Sequence, residues 1–164
     1  MSCLGVHFSL SAEEVQRLRD IEDEYERLNY LKENIEEEYF AEHEERMVQS
    51  DKAWDAMHRT LADGLLTDDG GEYPLNHVIL GGEDLYTAGD YIMVLKTPGQ
   101  VRDVAVMLPH TDEAEFRRRY FAIDADDYGP ELGEDDFGYT WSNFEDVRSF
   151  WLRAASEGRF VLFT

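Results

Sequence analysis

The 164 residues predict an α+β domain, a small mixed or antiparallel sheet that includes both terminal strands and is packed by several helices. Three observations predict it. The chain opens on period-two alternation and closes on the apolar run FVLF, which places a strand at each end. Between those ends, apolar residues recur at helical spacing behind recognisable N-caps. The length suits one domain spanning residues 1–164, since a chain of this size buries about 68 to 70 per cent of its unfolded surface.

Residues 3–10 read as the first strand, with Leu4, Val6, Phe8 and Leu10 alternating against Cys3, Gly5, His7 and Ser9. Ser11 with Glu14 three residues on forms a capping box, and Val15, Leu18, Ile21 or Glu22, and Tyr25 follow at near-helical spacing. The pattern continues through Leu28, Leu31, Ile35 and Tyr39. The seven glutamates between Glu33 and Glu45 read as its solvated face. A further helix has Ser50 or Asp51 as its cap, Ala53, Trp54, Met57, His58 and Leu61 as its buried stripe, and Gly64 as the left-handed residue that ends it.

Residues 67–74 read as an exposed turn, residues 77–80 as either a strand or the end of a helix, and residues 91–96 (YIMVLK) as a central strand. Thr97, Pro98 and Gln100 open the most strongly specified helix, which carries Val101, Val104, Ala105 and Leu108 and stops at Pro109. Asp112 with Glu115 caps a shorter helix through Phe116 and Tyr120. Residues 123–136 read as an acidic loop. Ser142 with Glu145 caps the last helix, which ends at Gly158, and residues 160–163 close the chain as a strand.

Thirty-seven acidic residues against fifteen basic ones leave a formal net charge of −22. An apolar content of 43 per cent, with 13 per cent aromatic, still suffices for a packed core. Such a surface repels phosphate backbones, whose affinity for proteins comes largely from Lys and Arg, so direct nucleic-acid binding is disfavoured and cationic partners are favoured. The one cysteine, Cys3, cannot form an internal disulfide. The N-terminus has neither a basic stretch nor the apolar run of a secretory leader, and no later segment reaches the roughly 20 apolar residues of a membrane span. A cytoplasmic protein without a membrane anchor is therefore expected.

Few residues suggest chemistry. His58 follows Asp55 by three positions, Trp54 by four and Asp51 by seven, so all four can share a helix face, and a carboxylate that orients an imidazole is the minimum for a general base. Capping and core packing account for the same residues. His7, His58 and His77 would suit a transition metal if they converged, yet no spacing resembles a known metal motif, and neither a metal nor a cofactor is expected. Asp124, Asp126, Gly129 and Asp135 fall on positions of a calcium-loop pattern, but Tyr128, Pro130 and Asp135 depart from it. Arg117, Arg118 and Arg119 form the only basic cluster, explained by a helix C-terminus and acidic neighbours. Phosphate-binding glycine loops and nucleophile elbows are absent from the sequence.

The segments CLGVHFSLS, DKAWDAMHRTL, LNHVILGGE, YIMVLKTPGQVRDVA and FEDVRSFWLRAASEGRFVLFT together resemble the YfbM-like family of bacterial proteins, a domain of unknown function. The likeness spans nearly the whole chain, and DKAWDAMH and ILGGE are its most specific parts. It implies a compact α+β domain of the bacterial cytoplasm with both terminal strands in one sheet. It supplies no activity and no functional residue, and the acidic stretch 33–45 looks longer than in shorter relatives. The chain is accordingly read as a non-catalytic binding protein whose acidic surface holds a basic protein partner. The alternative is a small hydrolase or metal-dependent enzyme, with His58 as base, Asp55 orienting it, and Trp54, Asp51, His7 and His77 around a pocket.

Overall fold

A computed structural model describes residues 4–164. Five antiparallel strands form one sheet: β1 (Gly5–Leu10), β2 (Met47–Asp51), β3 (Glu83–Asp84), β4 (Val94–Lys96) and β5 (Phe160–Phe163). Their order is β2-β1-β5-β4-β3, so the two terminal strands pair at the centre, with His7 opposite Phe163 and Phe8 opposite Leu162. Cys3, expected to open the first strand, lies outside the described residues.

Because side chains alternate across a strand, this register sends Phe8, Leu10, Leu95 and Leu162 to one face, and Val161 and Phe163 to the other. Both faces are covered. The first packs on α1 (Ala12–Asp20), α2 (Glu24–Tyr30), a π-helical turn (Leu31–Glu36) and α3 (Glu37–Glu42). The second packs on α4 (Trp54–Leu61), α5 (Pro98–Met107), α6 (Glu113–Tyr120) and α8 (Glu134–Ser156). Alternation in β1 therefore separates two cores rather than core from water, and His7 is buried with Ser9 although the pattern placed them on the polar side.

The capping boxes expected at Ser11/Glu14 and Thr97/Gln100 are both present, and Asp112 accepts from the Glu115 amide as expected. Gly64 and Gly158 take positive φ at the ends of α4 and α8. Elsewhere the elements differ from expectation. The long first helix breaks at residues 21–23, where Asp23 caps a second helix by accepting from the amides of Tyr25 and Glu26. Leu31, Ile35 and Tyr39 recur every fourth residue, more widely than a 3.6-residue turn sustains. The π-helical turn that carries Leu31 and Ile35 keeps all three buried.

Ser50 and Asp51 do not cap α4: both belong to the short strand β2, and the N-cap position falls on Ala53 without a side-chain bond. Gly5 lies where a Cβ would meet Ser50 Oγ and Trp54 Cδ1 at 2.8 Å, so β1 can sit against this corner only with glycine. Strand β4 is shorter than 91–96, and residues 77–80 are not a strand: His77 ends a 3₁₀ turn (Leu75–His77), and residues 78–80 follow it as turn. The acidic segment 123–136 is no open loop: it contains α7 (Ala125–Tyr128) and the start of α8, which begins eight residues before the Ser142 cap. Acidic side chains at Glu134, Asp135 and Asp136 favour that N-terminus electrostatically.

Candidate functional site

The residues singled out as candidates divide between a buried set that holds loops and a charged surface. His58 projects from α4 into the core, 1 % exposed, and its Nε2–H donates to the carbonyl of Thr67 at 2.6 Å. Its Nδ1 is buried without a partner. Asp55 does not orient it, because the Asp55 carboxylate accepts from Arg59 Nε at 2.7 Å one helical turn away. Arg59 continues to the Gly64 carbonyl and, by a short bond, to Asp127 on α7. Burial lowers the His58 pKa, which keeps the ring neutral and disfavours the imidazolium that a general base must form.

His7 and Lys96 do the same work from the sheet. His7 Nε2–H donates to the carbonyl of Val78 at 2.7 Å, and Lys96 Nζ donates to that of Ile79 at 2.5 Å while lying over the Phe163 ring. Residues 78–80 are buried and have no regular ladder, so their carbonyls need side-chain donors. Desolvation pushes the His7 pKa down to about 3, helped by the neighbouring Lys96. The same cause draws the Lys96 ammonium well below its ordinary value, with Asp84 opposing. His77 is half-buried and donates from Nδ1 to Asn76 Oδ1 at 2.7 Å.

Asp51, at φ 49°, accepts from the Tyr139 hydroxyl at 2.8 Å, and Tyr139 in turn accepts from the Lys52 amide, which fixes the turn into α4. Trp54 packs beside Phe163 and lines an apolar slot of about 50 Å³ with Gly5, Tyr91 and Ile92. The three histidines thus lie in three local hydrogen-bond systems. Among the described residues, no group of three or more His, Cys, Asp or Glu side chains is arranged to hold a metal ion. The four calcium-loop positions are spread over the cap of α7, its end and the first turn of α8.

The charged surface is uneven. Residues 20–45 hold twelve acidic side chains against two basic ones. Neither base neutralises a carboxylate: Arg27 donates to the carbonyls of Leu18, Ile21 and Leu85, and Lys32 lies over the Tyr91 ring at 4.9 Å. Among the described residues, the only ion pairs there join His43 to Glu38 and Glu45. Around α6 the opposite holds. Arg118 and Arg119 share Glu115, Arg117 holds Glu134, and the Glu115 carboxyl is held at about 2 by its two arginines. Reading by residue type finds the density of charge but not its pairing, which depends on where each arginine reaches.

Fold and side chains together define a two-faced antiparallel α+β domain with a helical layer on each side of its sheet, and among the described residues no helix is long and apolar enough to cross a membrane. The chain belongs to the family described as a domain of unknown function, DUF1877, which matches residues 1–164. It is similar in fold to YfbM from Escherichia coli, a protein of unknown function whose crystal structure aligns with a TM-score of 0.71 at 18 % identity over 98 % of each chain. No curated protein matches it. The resemblance read from the sequence holds, and neither the family nor that neighbour has a known function.

Proposed function

We propose that the chain is a non-catalytic binding protein of the cytoplasm, acting as one domain, that docks a basic protein through the acidic surface of residues 20–45. The observation that supports this reading is that neither Arg27 nor Lys32 neutralises a carboxylate of that surface. Most of its carboxylates are exposed, Glu26, Glu33, Glu37, Glu38 and Glu42 among them, while the arginine and lysine of the stretch are spent on backbone carbonyls and on a tyrosine ring. Concentrated charge of one sign steers a partner of the other and speeds association more than it adds affinity. Exposed Tyr25 and Phe40 lie within the same stretch and supply apolar contact area.

Capture from a bacterial lysate at low and at high salt, with the full chain as bait, tests the proposal. The expected result is a basic protein recovered at low salt, released at high salt, and absent when Glu33→Gln, Glu37→Gln and Glu42→Gln are combined. Recovery of the same protein by that triple variant, or of no specific protein at either salt, contradicts it.

A further inference from the structure

A second feature lies on the opposite side of the sheet and is independent of the acidic surface. A cleft of about 440 Å³ opens between the end of α4, the loop at Gly71 and Glu72, and the last turn of α6. That volume falls in the range of about 300 to 1,000 Å³ typical of small-molecule sites. Its apolar lining comes from Leu61 and Leu75, both buried, together with Ala62 and Ala122. Gly71 brings the loop against the helix end, at φ +80° and with Ala62 only 2.6 Å from where a Cβ would stand.

The charged lining of this cleft is of two signs. Arg118 and Arg119 share the single carboxylate of Glu115, so this pair carries one positive charge in excess. Arg119 uses only Nε, leaving both terminal nitrogens without a protein acceptor, and Arg118 has Nη1 left over. Asp63 and Glu72 also line the cleft, and neither is in an ion pair among the described residues. Beside them the carbonyls of Thr60 and Leu61, at the C-terminal end of α4, find no hydrogen-bond donor among the described residues, and such ends attract cations.

A bare anion would meet the repulsion of the whole −22 surface, and a bare cation would meet the arginines. A neutral molecule with separated charges avoids both. We infer that the cleft binds a small zwitterion with an apolar body, of the free amino acid or short peptide class. Its carboxylate lies on Arg118 and Arg119, its ammonium on Asp63, Glu72 and the α4 carbonyls, and its side chain over Leu61 and Leu75.

Titration of the ¹⁵N-labelled full chain with L-leucine, L-methionine and L-phenylalanine, and separately with acetate and ethylammonium, tests this. The expected result is a saturable shift of the Gly64, Gly71 and Ala122 amides with at least one amino acid and with neither half-molecule. Arg119→Gln is expected to weaken that binding about tenfold or more through loss of a charge-assisted contact. Ala122→Trp, at an exposed position, fills the cleft and abolishes it. Three outcomes overturn the inference: no saturable shift with any of the three amino acids, an equal response to acetate, or a shift that survives in both variants while their spectra remain folded. None of these outcomes bears on the acidic surface.

Discussion

His7 and Lys96 each place a nitrogen donor against a buried main-chain carbonyl, and His58 places one against the part-buried carbonyl of Thr67. A carbonyl left unpaired in a core costs about 1 to 3 kcal/mol, so these residues hold non-repetitive backbone on the sheet and on α4. The same burial makes stability depend on pH. His7 has an ordinary pKa of 6.5 that falls to about 3 in the folded chain, so between those values the unfolded chain binds a proton that the folded one refuses. Its contribution is complete above 6.5 and is lost as the pH falls toward 3. Urea unfolding at pH 7.5 and pH 5 is expected to show a loss for the native chain that His7→Gln, which can still donate, reduces by roughly 2 kcal/mol. An identical loss in both proteins contradicts this role. Lys96 works in the same sense at higher pH, since the unfolded amine stays protonated up to 10.5 while the buried one does not. Lys96→Met is therefore expected to flatten the rise in stability on the alkaline side. In the sequence His7 reads as the polar member of an alternating strand and Lys96 as the end of an apolar run. Nothing local says that a second helical layer buries both.

At the scale of elements, helices with a side-chain cap beside an apolar stripe were legible, and those positioned by distant contacts were not. Thr97 with Gln100 marks the start of α5 from four adjacent residues. Replacing Thr97 by Ala is expected to cost about 1 kcal/mol in chemical denaturation. By contrast, the break between α1 and α2 depends on Arg27, whose guanidinium pairs with no carboxylate but donates to the Leu18, Ile21 and Leu85 carbonyls at 2.9, 2.6 and 2.6 Å. Lysine is a point donor without that planar fork. Arg27→Lys is expected to lose about 2 kcal/mol and to raise amide exchange over residues 18–30 selectively. Uniform exchange across the chain would show that the arginine is not a local staple. Strand β2 carries no local signal for a related reason: five residues beside an acidic run show little alternation, and β1 supplies the pairing. Helix α8 starts earlier than its sequence suggests, because Ser142 and Glu145 mimic a cap inside a helix already formed.

At the scale of the whole molecule, composition was informative about charge and silent about its arrangement. The −22 total was visible at once, and the YfbM-like fold was legible from segments spread along the chain. The pairing of Glu115 and Glu134 with arginines of α6, against the absence of any arginine or lysine pair among the described residues 20–45, was not, because Arg27 and Lys32 stand among those glutamates in the sequence and serve other groups in the fold. The candidate pocket around His58 dissolved on the same ground, with Asp55 turning to Arg59. Mutual repulsion also sets a stability trend. Thermal unfolding is expected to shift upward as salt is raised from about 0.01 M, where charges interact over roughly 30 Å, to 0.15 M, where they interact over roughly 8 Å. The triple Glu33→Gln, Glu37→Gln, Glu42→Gln variant should gain less from salt than the native chain.

The acidic surface is most directly tested by locating a cationic probe on the folded chain. A lysine-rich peptide titrated at low ionic strength into the ¹⁵N-labelled protein is expected to move amides of residues 20–45 first. Those of residues 115–119, where Arg118 and Arg119 already hold the Glu115 carboxylate, should remain near their free positions. Shifts spread evenly over both regions, or confined to the second, would contradict the account.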